Sequence, residues 1–212
     1  MINGKQLDGL CKVLNVFQDK VRMDCPIVVD NACIMLCEVC ASDVFGIKSS
    51  DGLDIKQILN LKLEDEDFDV SIENDKYILK NDKRSYSFAL KSKVNIKTHA
   101  VRDFETDTEI ETDAKTFLKA IEKCSLVCDN CMICNGEMIS ETENTKVSVI
   151  LGKSSECGQT EGHYSLSMLK KIAKVMTGKV VLSFSRDYPL KMVWSDGYYT
   201  YKAFIAPLIE DH

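Results

Sequence analysis

Apolar positions recur along this chain at two spacings, and the switches between them mark out its elements. Spacings of three and four residues, the signature of a helix with one buried face, occur in Lys5–Lys20, Asp54–Lys62, Asp113–Cys124 and Ser165–Lys179. The last is the clearest. Leu166, Leu169, Ile172, Ala173 and Met176 form one stripe, Ser165 and Ser167 stand as N-caps, and Gly178 stands as a stop. Strand-like runs fill much of the remainder: Ile27–Asp30, Cys33–Cys40, Val44–Ser49, Phe68–Ile72, Lys76–Lys80 and Ser85–Leu90 in the first half. Cys131–Asn135, Glu137–Ser140, Thr145–Leu151, Val180–Phe184, Leu190–Trp194 and Tyr198–Ile205 follow in the second. Turn-forming residues at 73–75, 81–83, 186–189 and 195–197 separate neighbouring runs, which predicts antiparallel meanders.

Laid side by side, the halves repeat. The helix GKQLDGLCKVL answers DAKTFLKAIEK, and IMLCEVCASDVFGIKSS answers MISETENTKVSVILGKSS. DIKQILNL with its meander ending in RSYSFAL answers the Ser165–Lys179 helix with its meander ending in TYKAFIA. The expectation is an α+β fold of two homologous domains, 1–90 and 109–212, each a helix, three strands, a second helix and three strands. Residues 91–108 join them without clear periodicity. The period is too long for a solenoid and reads as domain duplication.

Charge sharpens this picture. The 212 residues carry a net charge of −6, which taken whole argues against a nucleic-acid partner. The four predicted helices nevertheless hold twelve lysines, at positions 5, 12, 20, 56, 62, 115, 119, 123, 170, 171, 174 and 179. Five acids stand against them: Asp8, Asp19, Asp54, Asp113 and Glu122. Lys115, Lys119 and Lys123, four residues apart, share a face opposite Phe117, Ala120, Ile121 and Cys124. A lysine row is most simply a solvated helix face. Four helices behaving alike inside an acidic chain point instead to a basic surface that would hold a phosphate backbone without reading bases.

The C-terminal stretch also carries a resemblance. Tyr164-Ser165-Leu166, Asp187-Tyr188-Pro189-Leu190 and Phe204-Ile205-Ala206-Pro207-Leu208-Ile209-Glu210 resemble, in order and spacing, the end of the proliferating cell nuclear antigen family of DNA sliding clamps. The resemblance implies clamp domains with paired helices over antiparallel sheets, three chains forming a ring around duplex DNA. It implies a channel lined by Lys5, Lys12, Lys56, Lys62, Lys115, Lys119, Lys123, Lys170, Lys171 and Lys174. It further implies a pocket for short hydrophobic peptides of DNA polymerase, ligase and nucleases, built from Val39, Val101, Pro189, Phe204, Ala206, Pro207 and Ile209. A clamp loader is the remaining implied partner. The ring edges would be Ser85–Leu90 of one chain and Thr145–Leu151 of the next, so that proline at Val149 opens the ring and leaves the chain folded. The chain departs from the family in having almost no strand before Lys5 and a short link from Ser50 to the second helix, which implies a reduced strand in the first domain.

Two other readings remain open. One is a subunit of a heteromeric or checkpoint-type clamp. The other is a cysteine-ligated metalloprotein, because Cys37-x-x-Cys40 and Cys128-x-x-Cys131-x-x-Cys134 have metal-ligand spacing. Against metal, the pairs lie far apart in sequence, His99, His163 and His212 are scattered, and cysteines in apolar strands are commonly buried. No thioredoxin-like context surrounds either pair, which argues against a redox dithiol. Glu64-Asp65-Glu66-Asp67 reads as a solvated turn, and Trp194 with Tyr198–Tyr201 as sheet packing. No nucleotide-binding loop, hydrolase elbow or zinc-protease motif occurs, so neither an enzyme nor a cofactor is expected. Ten cysteines without a signal-like start or membrane-spanning run imply an intracellular, reducing setting: a nucleus in a eukaryote, cytoplasm or nucleoid otherwise.

Overall fold

A computed structural model describes residues 1–25, 27–30, 32, 34–41, 43–92, 104–155 and 160–209. The chain forms two compact units, Met1–Ala100 and Val101–His212, dividing inside the expected connector.

In the first unit β1 (Ile2–Asn3) leads into α1 (Gly4–Asn15), then β2 (Lys20–Arg22), β3 (Ile27–Val29), β4 (Met35–Val39) and β5 (Gly52–Asp54). α2 (Ile55–Leu59), β6 (Asp67–Glu73), β7 (Lys76–Lys80) and β8 (Ser85–Ala89) complete it. The second unit repeats the same order: β9 (Thr108–Asp113), α3 (Ala114–Cys124), β10 (Asn130–Cys134), β11 (Glu137–Glu141), β12 (Lys146–Ile150) and β13 (Glu161–Ser165). It closes with α4 (Leu166–Ala173), β14 (Lys179–Phe184), β15 (Leu190–Ser195) and β16 (Thr200–Ile205).

The duplication is therefore real, but its unit is strand, helix, four strands, helix and three strands. Five strands escaped the periodicity: Ile2–Asn3, Lys20–Arg22, Gly52–Asp54, Thr108–Asp113 and Glu161–Ser165. The first three are too short to show alternation. The other two alternate in burial but carry threonine, glycine and histidine on the buried or half-buried positions. Val44–Ser49 is a turn rather than a strand. Asp43 and Gly46 take left-handed backbone angles there, while Val44 and Phe45 fill the core. Helices α1, α2 and α4 stop earlier than expected, which moves Lys20 into β2 and Lys179 into β14, and leaves Lys62 beyond α2 in a left-handed conformation.

Each unit packs its helix pair, α1 with α2 and α3 with α4, over antiparallel strands. In the second unit β10 and β11 are joined by Asn135-Gly136, both at positive φ, the two-residue turn whose twist matches a hairpin. A Cβ at Gly136 would stand 2.3 Å from the Gly152 carbonyl, so side chains are excluded there on two counts. The core beneath α3 and α4 is apolar: Phe117, Ile121, Ile133, Met138, Leu166, Leu169 and Ile172 are at most 1% exposed. Among the described residues no helix is long and apolar enough to cross a membrane.

Candidate functional site: a basic helix layer and an apolar tail seat

α3 forms because Asp113 caps it, its carboxylate accepting the N–H groups of Lys115 and Thr116 at 3.0 Å each. The same bonds, led by that with the Thr116 hydroxyl, hold the Asp113 carboxyl below the usual range. Two of the five acids counted in the predicted helices, Asp54 and Asp113, are thus cap residues. Phe117, Ala120, Ile121 and Cys124 face the core, which turns Lys115, Lys119 and Lys123 to solvent. In α4, burial of Leu166, Leu169, Ile172 and Ala173 leaves Lys170 half-buried and Lys171 exposed, with Lys174 exposed at the C-cap. None of these six lysines makes an ion pair among the described residues. The four helices hold eight lysines against two acids, Asp8 and Glu122. The first unit's basic set is partly neutralised: Lys12 pairs with Asp8 at 2.6 Å and Lys56 with Asp19 at 2.8 Å, while Lys5 and Lys62 are exposed.

The second feature is built at the end of β16. Ala206–Ile209 leave the sheet as irregular chain, and the Leu208 N–H donates to the His163 carbonyl at 2.8 Å. Leu208 and Ile209 then wall a cavity of about 520 Å³ together with Cys128, Cys131, Met132 and Ile139. A smaller cleft of about 70 Å³, between Pro207–Ile209 and Arg186-Asp187, adjoins the tail. Ile209 is 74% exposed. Beside the tail, Phe104 lies 5.8 Å from the ring of Tyr188 and 5.9 Å from that of Phe204. The Tyr164 hydroxyl donates to the Tyr188 carbonyl at 3.2 Å and positions the loop that carries Pro189. Such a contiguous set of apolar groups, partly open to water, is suited to an apolar segment of another molecule.

Of the expected pocket residues, Pro189, Phe204, Ala206, Pro207 and Ile209 all lie in the second unit. Phe204 is buried, Pro189, Ala206 and Pro207 are half-buried, and Ile209 is exposed. Val39 differs: it lies on β4 and is 1% exposed. Val101 lies outside the described residues, as does most of the connector. Phe104 and Tyr188 were missed. Tyr188 sits within the turn Arg186–Pro189, where the only available signal was an aromatic side chain beside a proline. Phe104 lies in a segment without periodicity and had none.

The sheet edges are also defined. β8 ends the order β1-β6-β7-β8, and β12 ends the order β12-β11-β10-β13. The Leu151 N–H donates to Gly136 and the Thr142 N–H to Thr145, both at 2.8 Å and in the register that pairs Met138 with Val149. Because antiparallel ladders alternate, the amides of Val147 and Val149 point inward and those of Ser148 and Ile150 point to the free edge. Proline at Val149 would therefore break the chain's own sheet. The position that tests the edge is Ile150, which is 72% exposed. By the same argument, from Leu90 donating to Asp75 and Asn81 to Arg84, the outward amides of β8 belong to Ser85, Ser87 and Ala89.

Among the described residues no group of three or more His, Cys, Asp or Glu side chains could hold a metal ion. Cys33, Cys157, His99 and His212 lie outside them. Cys37 and Cys131 are buried, and desolvation pushes both thiols well above the ordinary range.

No family model matches the chain, and no curated protein matches its sequence. Solved structures do match its shape. A PCNA of A. fulgidus, bound to the C-terminal region of FEN-1, superposes with a TM-score of 0.83 at 18% identity, covering 100% of this chain and 98% of that one. The PCNA of Entamoeba histolytica gives 0.78 at 17% identity over 98% and 96%. A chain of the PCNA2–PCNA3 complex of Sulfolobus tokodaii gives 0.73 at 15% identity over 99% and 98%. The chain has the fold of these clamps along its full length.

Proposed function

We propose that the chain is a non-enzymatic DNA sliding clamp that encircles duplex DNA as a homotrimer and tethers replication and repair enzymes by short apolar peptides. The observation that carries this reading is the excess of lysine over acid in the helix pairs, eight against two, in an otherwise acidic, duplicated, clamp-shaped chain. Ammonium groups on long flexible stems hold phosphates through exchangeable, salt-screened contacts, which favour sliding over sequence reading. The closed ring supplies retention, and a tethered polymerase stays near the primer end at high effective concentration. Closure would come from pairing of the outward amides and carbonyls of β8 in one chain with those of β12 in the next. The small exposed residues Ser85, Ser87 and Ala89 leave room for that approach. The Phe104–Tyr188–Phe204 cluster and the tail would receive the apolar peptide.

Light scattering over a dilution series tests the ring: the expected mass is three times the 23.9 kDa of one chain. Ile150→Pro should give a folded monomer, and a trimer that persists in it would overturn the edge assignment. Retention on closed circular DNA with loss from linear DNA having open ends is the expected mark of topological binding. Equal retention on both would overturn it. A second reading, membership of a heteromeric ring, is favoured by the likeness to a chain of the PCNA2–PCNA3 complex. A monomer at every concentration would select it.

A further inference from the structure

Three thiols converge on β11. Cys124, fully buried at the end of α3, donates from Sγ to the Met138 carbonyl at 3.7 Å. Two residues along the same strand, Ser140 Oγ lies 3.0 Å from Cys128 Sγ. The β10–β11 register pairs Ile133 with Met138 and Met132 with Ile139, so its next step sets Cys131 opposite Ser140. Directly opposed residues share a face with Cβ atoms about 4.5–5.5 Å apart, and both of these are buried, at 3% and 1% exposure. Ser140 thus contacts the Cys128 thiol and lies opposite Cys131, so both cysteines of Cys128-x-x-Cys131 adjoin one side chain. Both thiols also line the 520 Å³ cavity that the tail walls, which admits a small solute to them.

We propose that Cys128 and Cys131 form a peroxide-responsive dithiol, with Cys128 the attacking thiol and Cys131 the resolving one. Cys128 is half-buried rather than enclosed. The Ser140 hydroxyl holds its thiol below the ordinary range against the opposing charge of Asp129, whereas burial keeps Cys131 protonated until a partner reaches it. Glu141, on the same cavity wall, is the other nearby acid. In the first step the Cys128 thiolate attacks one peroxide oxygen and the O–O bond breaks. The sulfur becomes a sulfenic acid, losing two electrons, and the departing hydroxide takes a proton to leave as water. In the second step Cys131 sulfur attacks that sulfur. The S–S bond forms, the S–O bond breaks, and the Cys131 proton leaves with the hydroxide as a second water. The tail's seat would then differ between the reduced and oxidised chain.

The test uses the full chain, does not depend on the clamp reading, and takes hydrogen peroxide as the probe. Intact mass should fall by about 2 Da and recover with dithiothreitol, as a single disulfide requires. Cys131→Ser should stop at a sulfenic acid that dimedone traps on Cys128, and Cys128→Ser should show neither product. Cys131→Ala provides the same answer should the serine disturb packing, with circular dichroism reporting the fold of each variant. Ser140→Ala should slow alkylation of Cys128 several-fold at neutral pH and move its pH midpoint upward. A mass loss that survives in both Cys131 variants would overturn the pairing. Dimedone labelling at Cys40 in preference to Cys128, or a pH profile unmoved by Ser140→Ala, would overturn the assignment of Cys128 as the attacking thiol.

Discussion

The two units follow one blueprint and execute it with different material. In the second, β12-β11-β10-β13 is a continuous sheet of five-residue strands, and α3 and α4 span eleven and eight residues. In the first, the corresponding strands separate, among the described residues, into the pairs β2·β5 and β3·β4, with ladders of three residues each. α2 has only five residues. A helix that short does not persist on intrinsic propensity, so α2 exists because Ile55 and Ile58, both at 0% exposure, are held by what they pack on. The other sheet survives in both units, as β1-β6-β7-β8 and β9-β14-β15-β16. The sheet that carries β8 is thus kept complete in the first unit while the other is trimmed. The halves also differ electrostatically, since the first unit pairs Lys12 and Lys56 with carboxylates, whereas among the described residues Lys115, Lys119, Lys123, Lys170, Lys171 and Lys174 of the second make no ion pair.

That contrast can be broken experimentally. The largest effect should come from the second unit's core: Phe117→Ala removes a fully buried ring and should cost about 3–5 kcal/mol, read by denaturant unfolding. If hydrogen exchange in that variant accelerated in α2 as much as in α3, the units would not be energetically separate. Next in size is capping. Asp113→Ala, which deletes two backbone acceptor bonds, should cost about 1–2 kcal/mol, and Asp54→Ala, which deletes one, about half as much. Equal losses would mean that α2 leans on its cap as heavily as α3 does. The smallest effect is on DNA affinity. Lys119→Ala should reduce the slope of log affinity against log salt by about 0.9, the value for one phosphate contact. Lys12→Ala, already paired with Asp8, should reduce it by less, and the reverse order would remove the electrostatic half of the comparison.

Legibility in the sequence followed physical cause closely. Lys76–Lys80 came out to the residue, because an alternating pattern bounded by turn-forming residues leaves little freedom of register. Asp113–Cys124 came out to within one residue for the analogous helical reason. Gly52–Asp54 did not, since three residues carry no period and their extension comes from pairing with Lys20–Arg22. At the candidate site, Pro207 and Ile209 were legible from a motif, while Phe104 was placed only by the rings it meets.

The sequence by itself determined that the chain is duplicated, that lysine gathers on helices, and that an apolar tail follows the last strand. Those are properties of order and spacing, which folding leaves unchanged. Only the tertiary structure decided which amides of β12 face outward, that Val39 belongs to the core, and that Ser140 adjoins both Cys128 and Cys131. Each of these depends on which strands pair and in what register, and long-range pairing leaves no local trace in the chain.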